Sequence, residues 1–168
     1  MPTDTRLIID GDFAENIWRS VDDETALDDT PCIISLDRLE AEATTLAARN
    51  APLGVILRGG EKEGDDVHRL APHLDKLALI AVEFPVFRNG RGYSTARILR
   101  EQMGFTGEIR ACGEVWRDQW QFMQRCGINA FEVPPDTTLE TFKEACGELS
   151  EVYQPAADGI PAVPWRRN

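Results

Sequence analysis

The sequence predicts an α/β fold of about five parallel strands alternating with helices. They are expected in an open three-layer (Rossmann-like) sheet, with a partial (β/α) barrel as the alternative. Three observations predict it. Short apolar runs alternate with segments of helical periodicity through residues 31–154. The runs LGVILR and LALIAVEF are almost continuously apolar, as in a sheet covered on both faces. Five such units are too few to close an eight-stranded barrel.

The strand segments are CIISL (32–36), LGVILR (53–58), LALIAVEF (77–84), EIRAC (108–112) and NAFEV (129–133). Ahead of them, residues 6–21 hold two apolar runs around Asp10-Gly11-Asp12, turn chemistry that predicts an antiparallel hairpin or a lead-in ribbon. The acidic DDETALDD segment (22–29) reads as an exposed linker. Helical faces follow from apolar spacing. Leu39, Ala43, Leu46 and Ala47 share one in 37–49, with Asp37 and Glu40 at capping positions. Val67, Leu70, Ala71 and Leu74 share one in 65–75, which Pro72 interrupts. Ala96, Ile98, Leu99 and Met103 define the helix of 94–103, with Ser94 as its N-cap. Leu139, Phe142, Cys146, Leu149 and Tyr153 define the last helix, opened by a Thr137–Glu140 capping box. The tail PAADGIPAVPWRRN (155–168) is too rich in Pro and Gly for regular structure. The whole is read as one domain: an N-terminal ribbon and acidic linker (1–30), the α/β core (31–154) and the tail.

A formal net charge of −11 argues against general affinity for nucleic acid or anionic membrane. It favours solubility, or docking onto a basic protein surface. No stretch reaches the ~20 apolar residues that span a bilayer. MPTDTRLIIDGD lacks the basic start and apolar core of a signal peptide. Cys32, Cys112, Cys126 and Cys146 form neither a CxxC nor a zinc spacing, and read as free thiols of a reducing, cytoplasmic compartment. His68 and His73, five apart around Pro72, form no i,i+4 metal pair, so no metal is expected.

In such a fold, ligands bind at the C-terminal ends of the strands. That edge collects Arg58-Gly59-Gly60, Glu83, the 85–93 loop, Cys112-Gly113-Glu114 and Glu132-Val133-Pro134-Pro135. The richest part is RNGRGYS. Arg88, Gly90, Arg91, Gly92, Tyr93 and Ser94, with Arg58 and Glu83, form the candidate anion site: guanidiniums, glycines and a helix start suit sulfite, sulfate, phosphate or carboxylate. The alternative is that the glycines make turns and the arginines meet this chain's own carboxylates. Arg97 and Arg100 are assigned to an exposed helix face. In EVWRDQWQFMQRC (114–126) the apolar arc is wide, about 160°, and includes Gln119. Trp116 and Trp120 on that arc are either core or an interface with a partner or a second copy. Cys112 ends a strand at the same edge but has no histidine beside it in sequence, so a small buried thiol is preferred.

The block FPVFRNGRGYSTARILREQMGFTGEIRACGEVWRDQWQFMQRCGINAFEV (84–133) resembles the bacterial Domain of Unknown Function 934 family. The runs GRGYS, GFTG and RCG carry the resemblance. Asn89 stands where that family usually has aspartate, and Cys112 where it has an aliphatic residue. The resemblance implies a gene neighbourhood of sulfate assimilation and a label of probable oxidoreductase of sulfite reduction. No iron–sulfur spacing, haem motif or dinucleotide fingerprint accompanies it, so no cofactor is expected. Three functions stay open. One is an accessory protein of sulfite or sulfate reduction acting through protein–protein contacts, with sulfite reductase or another sulfate-assimilation enzyme as partner. The second is a small-anion binding protein or enzyme using the strand-end edge. The third is an oxidoreductase with an unrecognised flavin or nicotinamide site.

Overall fold

The computed structural model describes residues 5–60, 64–86, 89–148 and 156–157. Among these, eight strands form one mixed sheet in the order β2-β1-β8-β7-β6-β5-β4-β3. They are β1 (Arg6–Ile9), β2 (Asp12–Ala14), β3 (Arg19–Ser20), β4 (Cys32–Ser35), β5 (Leu53–Leu57), β6 (Leu77–Phe84), β7 (Glu108–Gly113) and β8 (Ala130–Val133). β3 to β8 are parallel neighbours in chain order. β1 runs antiparallel to both β2 and β8. Asp10 (φ 50°) and Gly11 (φ 88°) make the tight turn of the expected N-terminal hairpin.

This order replaces the open three-layer sheet by a curled half-barrel, the alternative reading. A doubly wound sheet must reverse its strand order to place helices on both faces. Here the order never reverses, so right-handed crossovers put the helices among the described residues on the same face. A second constraint comes from the chain itself. Only residues 15–18 join β2 to β3, the two opposite edges of the sheet. Five residue steps span at most ~18 Å. In a flat eight-stranded sheet, seven gaps would put those edges ~34 Å apart. The sheet must curl.

The outer face carries the main core. Ile34, Val55, Leu57, Ile80, Val82, Ile109, Phe131 and Val133 pack there under α3 (Arg91–Arg97), α4 (Trp120–Arg125) and α5 (Leu139–Gly147). On the β4–β5 side of that face lie α1 (Leu36–Ala41) and α2 (Ala43–Leu46). The inner face has a smaller cluster of Ile33, Leu79, Ala81 and Cys112, on which Trp18 and Ile56 pack. The 15–18 segment therefore straps across it. Arg110, fully buried on this face, anchors the strap: its Nη1 donates to Asn16 Oδ1 at 3.0 Å. Its Nε donates to Glu108 Oε1 at 2.7 Å, and Glu132 lies 3.6 Å from Nη1.

The helices depart from expectation in specific ways. Residues 65–75 form two 3₁₀ turns, Val67–Leu70 and Leu74–Lys76, because Pro72 cannot continue a helical hydrogen-bond ladder. Ser35, not Asp37 or Glu40, caps α1 by accepting from the Arg38 N–H; Asp37 and Glu40 instead bind Arg69 at 2.7 and 2.6 Å. α5 is capped by Thr138, whose hydroxyl accepts from the Thr141 N–H, in place of the Thr137–Glu140 box. Leu149 and Tyr153, and the tail apart from 156–157, lie outside the described residues.

Arg100 is not on an exposed face. After α3 the helix widens into a π turn, Ile98–Gln102, and Arg100 turns inward beneath it. Its guanidinium donates to the carbonyls of Gly127 (2.8 Å), Phe105 (2.6 Å) and Gly107 (2.8 Å) and to Asn129 Oδ1 (3.0 Å). Gly127 has φ +99°, and a Cβ there would lie 2.2 Å from Arg100 Cγ, so only glycine fits beside the clasp. Arg97 stays on the surface, paired with Glu101.

Arg110→Met strips Glu108 and Glu132 of their counter-charge on a buried face, and is expected to cost about 3–5 kcal/mol in urea denaturation. Arg100→Met leaves three backbone carbonyls without their donor, and is expected to cost about 3 kcal/mol by the same measurement.

Candidate functional site

At the C-terminal ends of β5 and β6 lies a cleft of about 270 Å³. Leu57, Arg58 and Gly59 reach it from β5, Val82 and Glu83 from β6, and Arg91, Gly92, Ser94 and Thr95 from α3. Gly64, Asp65, Asp66 and His68 close its remaining side. The loops around it are tied by backbone and side-chain hydrogen bonds. The Arg58 N–H donates to Asp65 Oδ2 at 2.7 Å, and the Asp65 N–H returns a bond to the Arg58 carbonyl at 3.0 Å. Asn89 staples the two loops together. Its Nδ2 donates to the carbonyls of Gly59 and Gly60, and its Oδ1 accepts from the Arg91 N–H at 3.1 Å.

Asn89 explains why the helix begins at Arg91 rather than at Ser94. Its side chain satisfies an N–H of the first turn, so Gly90 stands at the cap position with no side-chain bond and Ser94 lies within the helix. Gly92 has a packing role: a Cβ there would sit 2.5 Å from the Phe84 ring. The structure thus brings Arg58, Glu83, Arg91, Gly92 and Ser94 into one cleft. Gly90 caps the helix outside it. Tyr93 points elsewhere, its ring between Phe84 (5.2 Å) and Phe122 (4.8 Å), where burial pushes its hydroxyl pKa up. Arg88 lies outside the described residues.

The electrostatics are mixed. Arg91 Nη1 donates to the Gly60 carbonyl at 3.4 Å, and its side chain is exposed. Among the described residues Glu83 makes no ion pair with Arg58 or Arg91, although all three line the cleft. Asp66 Oδ1 is turned to the His68 N–H at 2.9 Å, capping the 3₁₀ turn. Two guanidiniums and two hydroxyls (Ser94, Thr95) therefore line the cleft, whereas strand alternation turns the Glu83 carboxylate to the inner face, beside Cys112. Asp65, Asp66, His68 and Thr95 carried no sequence signal, because a turn-forming loop and a helix interior read the same with or without a cleft between them.

The tryptophans separate. Trp120 is 2% exposed and stacks near Phe142 with ring centroids 5.1 Å apart, so it is core. Trp116 is 47% exposed, held by a 2.8 Å bond from Nε1 to Glu114 Oε2. Gln119 is buried, as its place in the apolar arc requires, and its Oε1 lies 3.4 Å from the Trp116 N–H. Arg117 pairs with Glu148. Cys112 is buried with its thiol directed at the Val82 carbonyl, and burial pushes its pKa far up, which suits a packed thiol and not a nucleophile. Among the described residues no group of histidine, cysteine and carboxylate side chains could hold a metal, and no helix is long and apolar enough to cross a membrane.

The motifs behind the family resemblance have structural occupations. GFTG supplies Phe105 and Gly107, and RCG supplies Gly127, whose carbonyls grip Arg100. GRGYS begins α3 and seats it on Phe84 through Gly92. No curated protein matches the chain. The family model described as bacterial protein of unknown function (DUF934) matches residues 55–163, from within β5 past the end of α5. The chain belongs to the DUF934 family.

Proposed function

We propose that this chain is an accessory protein of assimilatory sulfite or sulfate reduction, and that its strand-end cleft holds a small oxyanion. The observation that carries the binding half is the convergence of Arg58 and Arg91, more than thirty residues apart in sequence, on one cleft with Ser94 and Thr95. Guanidiniums and hydroxyls are donors, and oxyanions such as sulfite, sulfate and phosphate offer acceptors on every side. Asp65 and Asp66, carboxylates that line the same cleft, add a selection. A carboxylate in the cleft repels a fully ionised anion but accepts a hydrogen bond from a protonated one, which favours hydrogen sulfite or hydrogen phosphate over sulfate. The placing in sulfite reduction rests on the family's genomic company alone. A thermal-shift series with sulfite, phosphate and sulfate at pH 6–7 tests the cleft. Stabilisation by the first two is expected to exceed that by sulfate, and to fall at least tenfold in apparent affinity in Arg91→Ala. Stabilisation that survives both Arg91→Ala and Arg58→Ala places the anion elsewhere.

A specific observation favours a second reading, docking onto a partner enzyme. Trp116 is half exposed at the same end of the sheet, on a molecule of net charge −11. Co-purification with sulfite reductase is expected at low salt, weakening as salt rises, and reduced in Trp116→Ala. No association at low salt removes this reading.

A further inference from the structure

A second cleft, of about 260 Å³, opens between the C-terminal ends of β7 and β8 beside the start of β1. Val115, Trp116, Pro134 and Pro135 give it apolar walls. The two ionisable side chains lining it, among the described residues, are both carboxylates: Glu114 and Glu132. Glu114 is occupied in fixing the Trp116 indole through the bond to Nε1. Glu132 belongs to the buried arginine cluster, where Arg110 lies 2.7 Å from Glu108 but 3.6 Å from Glu132. Two carboxylates thus share one guanidinium, and the more loosely held one is among the residues that line the cleft. The cluster carries one formal negative charge in excess, on a face where charge is poorly solvated. Burial accordingly pushes the Glu132 carboxyl above its usual range, against the opposing pull of Arg110. The nearby Arg6 is committed elsewhere, to the Thr137 carbonyl and the Phe13 ring.

A cation in this cleft would balance the excess charge. One looser carboxylate among apolar walls lacks the six or more oxygens that calcium gathers, or the octahedral shell of magnesium. An organic cation fits the lining better, since an indole face attracts positive charge and prolines accept an aliphatic chain. We infer that the cleft binds an alkylammonium, with its charge on Glu132 and its chain between Trp116 and the Pro134–Pro135 wall. The lysine side chain of another protein and a free aliphatic amine share this chemistry.

Isothermal titration of the full chain with n-butylammonium, n-butanol and butyrate tests the inference. Saturable binding of butylammonium is expected, with none of butanol or butyrate. Glu132→Gln should weaken it at least tenfold, and Trp116→Ala at least threefold. Because Trp116 is half exposed, its variant decides the matter should Glu132→Gln fail to fold. Absence of butylammonium binding, equal binding of butanol, or affinity unchanged in Trp116→Ala overturns the inference. N-acetyl-lysine methylamide separates the two sources: comparable affinity supports a protein side chain, and its exclusion with butylammonium retained supports a free amine.

Discussion

Four residues, Glu15 to Trp18, determine the shape of this molecule. They join the two outermost strands of an eight-stranded sheet, and their reach is about half of what a flat sheet would require. Curling the sheet satisfies the link and creates an inner face that, among the described residues, the helices on the outside do not cover. The strap covers part of it with Trp18, and the buried Arg110 ties the strap down through Asn16. Charge is thereby carried into the interior, with Glu108 and Glu132 brought in to meet it.

Both clefts lie along one rim of that sheet. Parallel strands taken in chain order place all their C-terminal ends along one rim, and the loops that line the two clefts are those leaving β5, β6, β7 and β8. The first cleft forms where two loops are stapled by Asn89 and not packed shut. The second forms where the Pro134-Pro135 run carries the chain away from β8. In the second, the half-buried carboxylate of Glu132 gives the cleft its chemical character.

Much of the fold was legible in the sequence. The five long strands were found within a residue or two, because apolar runs of that length record burial directly. The hairpin was found from its Asp-Gly turn. Strand order was not legible, since the pattern of a strand reports which faces are buried and not which neighbours it has; the flat and curled alternatives share one pattern. β3 was missed because two exposed residues, Arg19 and Ser20, carry no periodicity. Arg100 was misplaced because a π turn rotates it off the face that 3.6-residue spacing assigns. At the site, Arg58, Glu83 and Arg91 could be placed by topology alone, whereas the roles of Asn89 and Gly92 depended on contacts with distant residues, Gly59, Gly60 and Phe84.

The strand order also bears on how the chain reaches this state. Every parallel pair from β3 to β8 joins consecutive strands, so each loop to be closed is short and the array can grow from one unit to the next. The pairing of β1 with β8 differs: Leu7 lies opposite Glu132, at nearly the full length of the described chain. Loop-closure entropy makes that contact the slowest to gain from chance encounter. The N-terminal ribbon therefore waits for β8, and the strap between β2 and β3 can be drawn tight only when both edges exist. Until then the inner face, with its arginine, stands open to water.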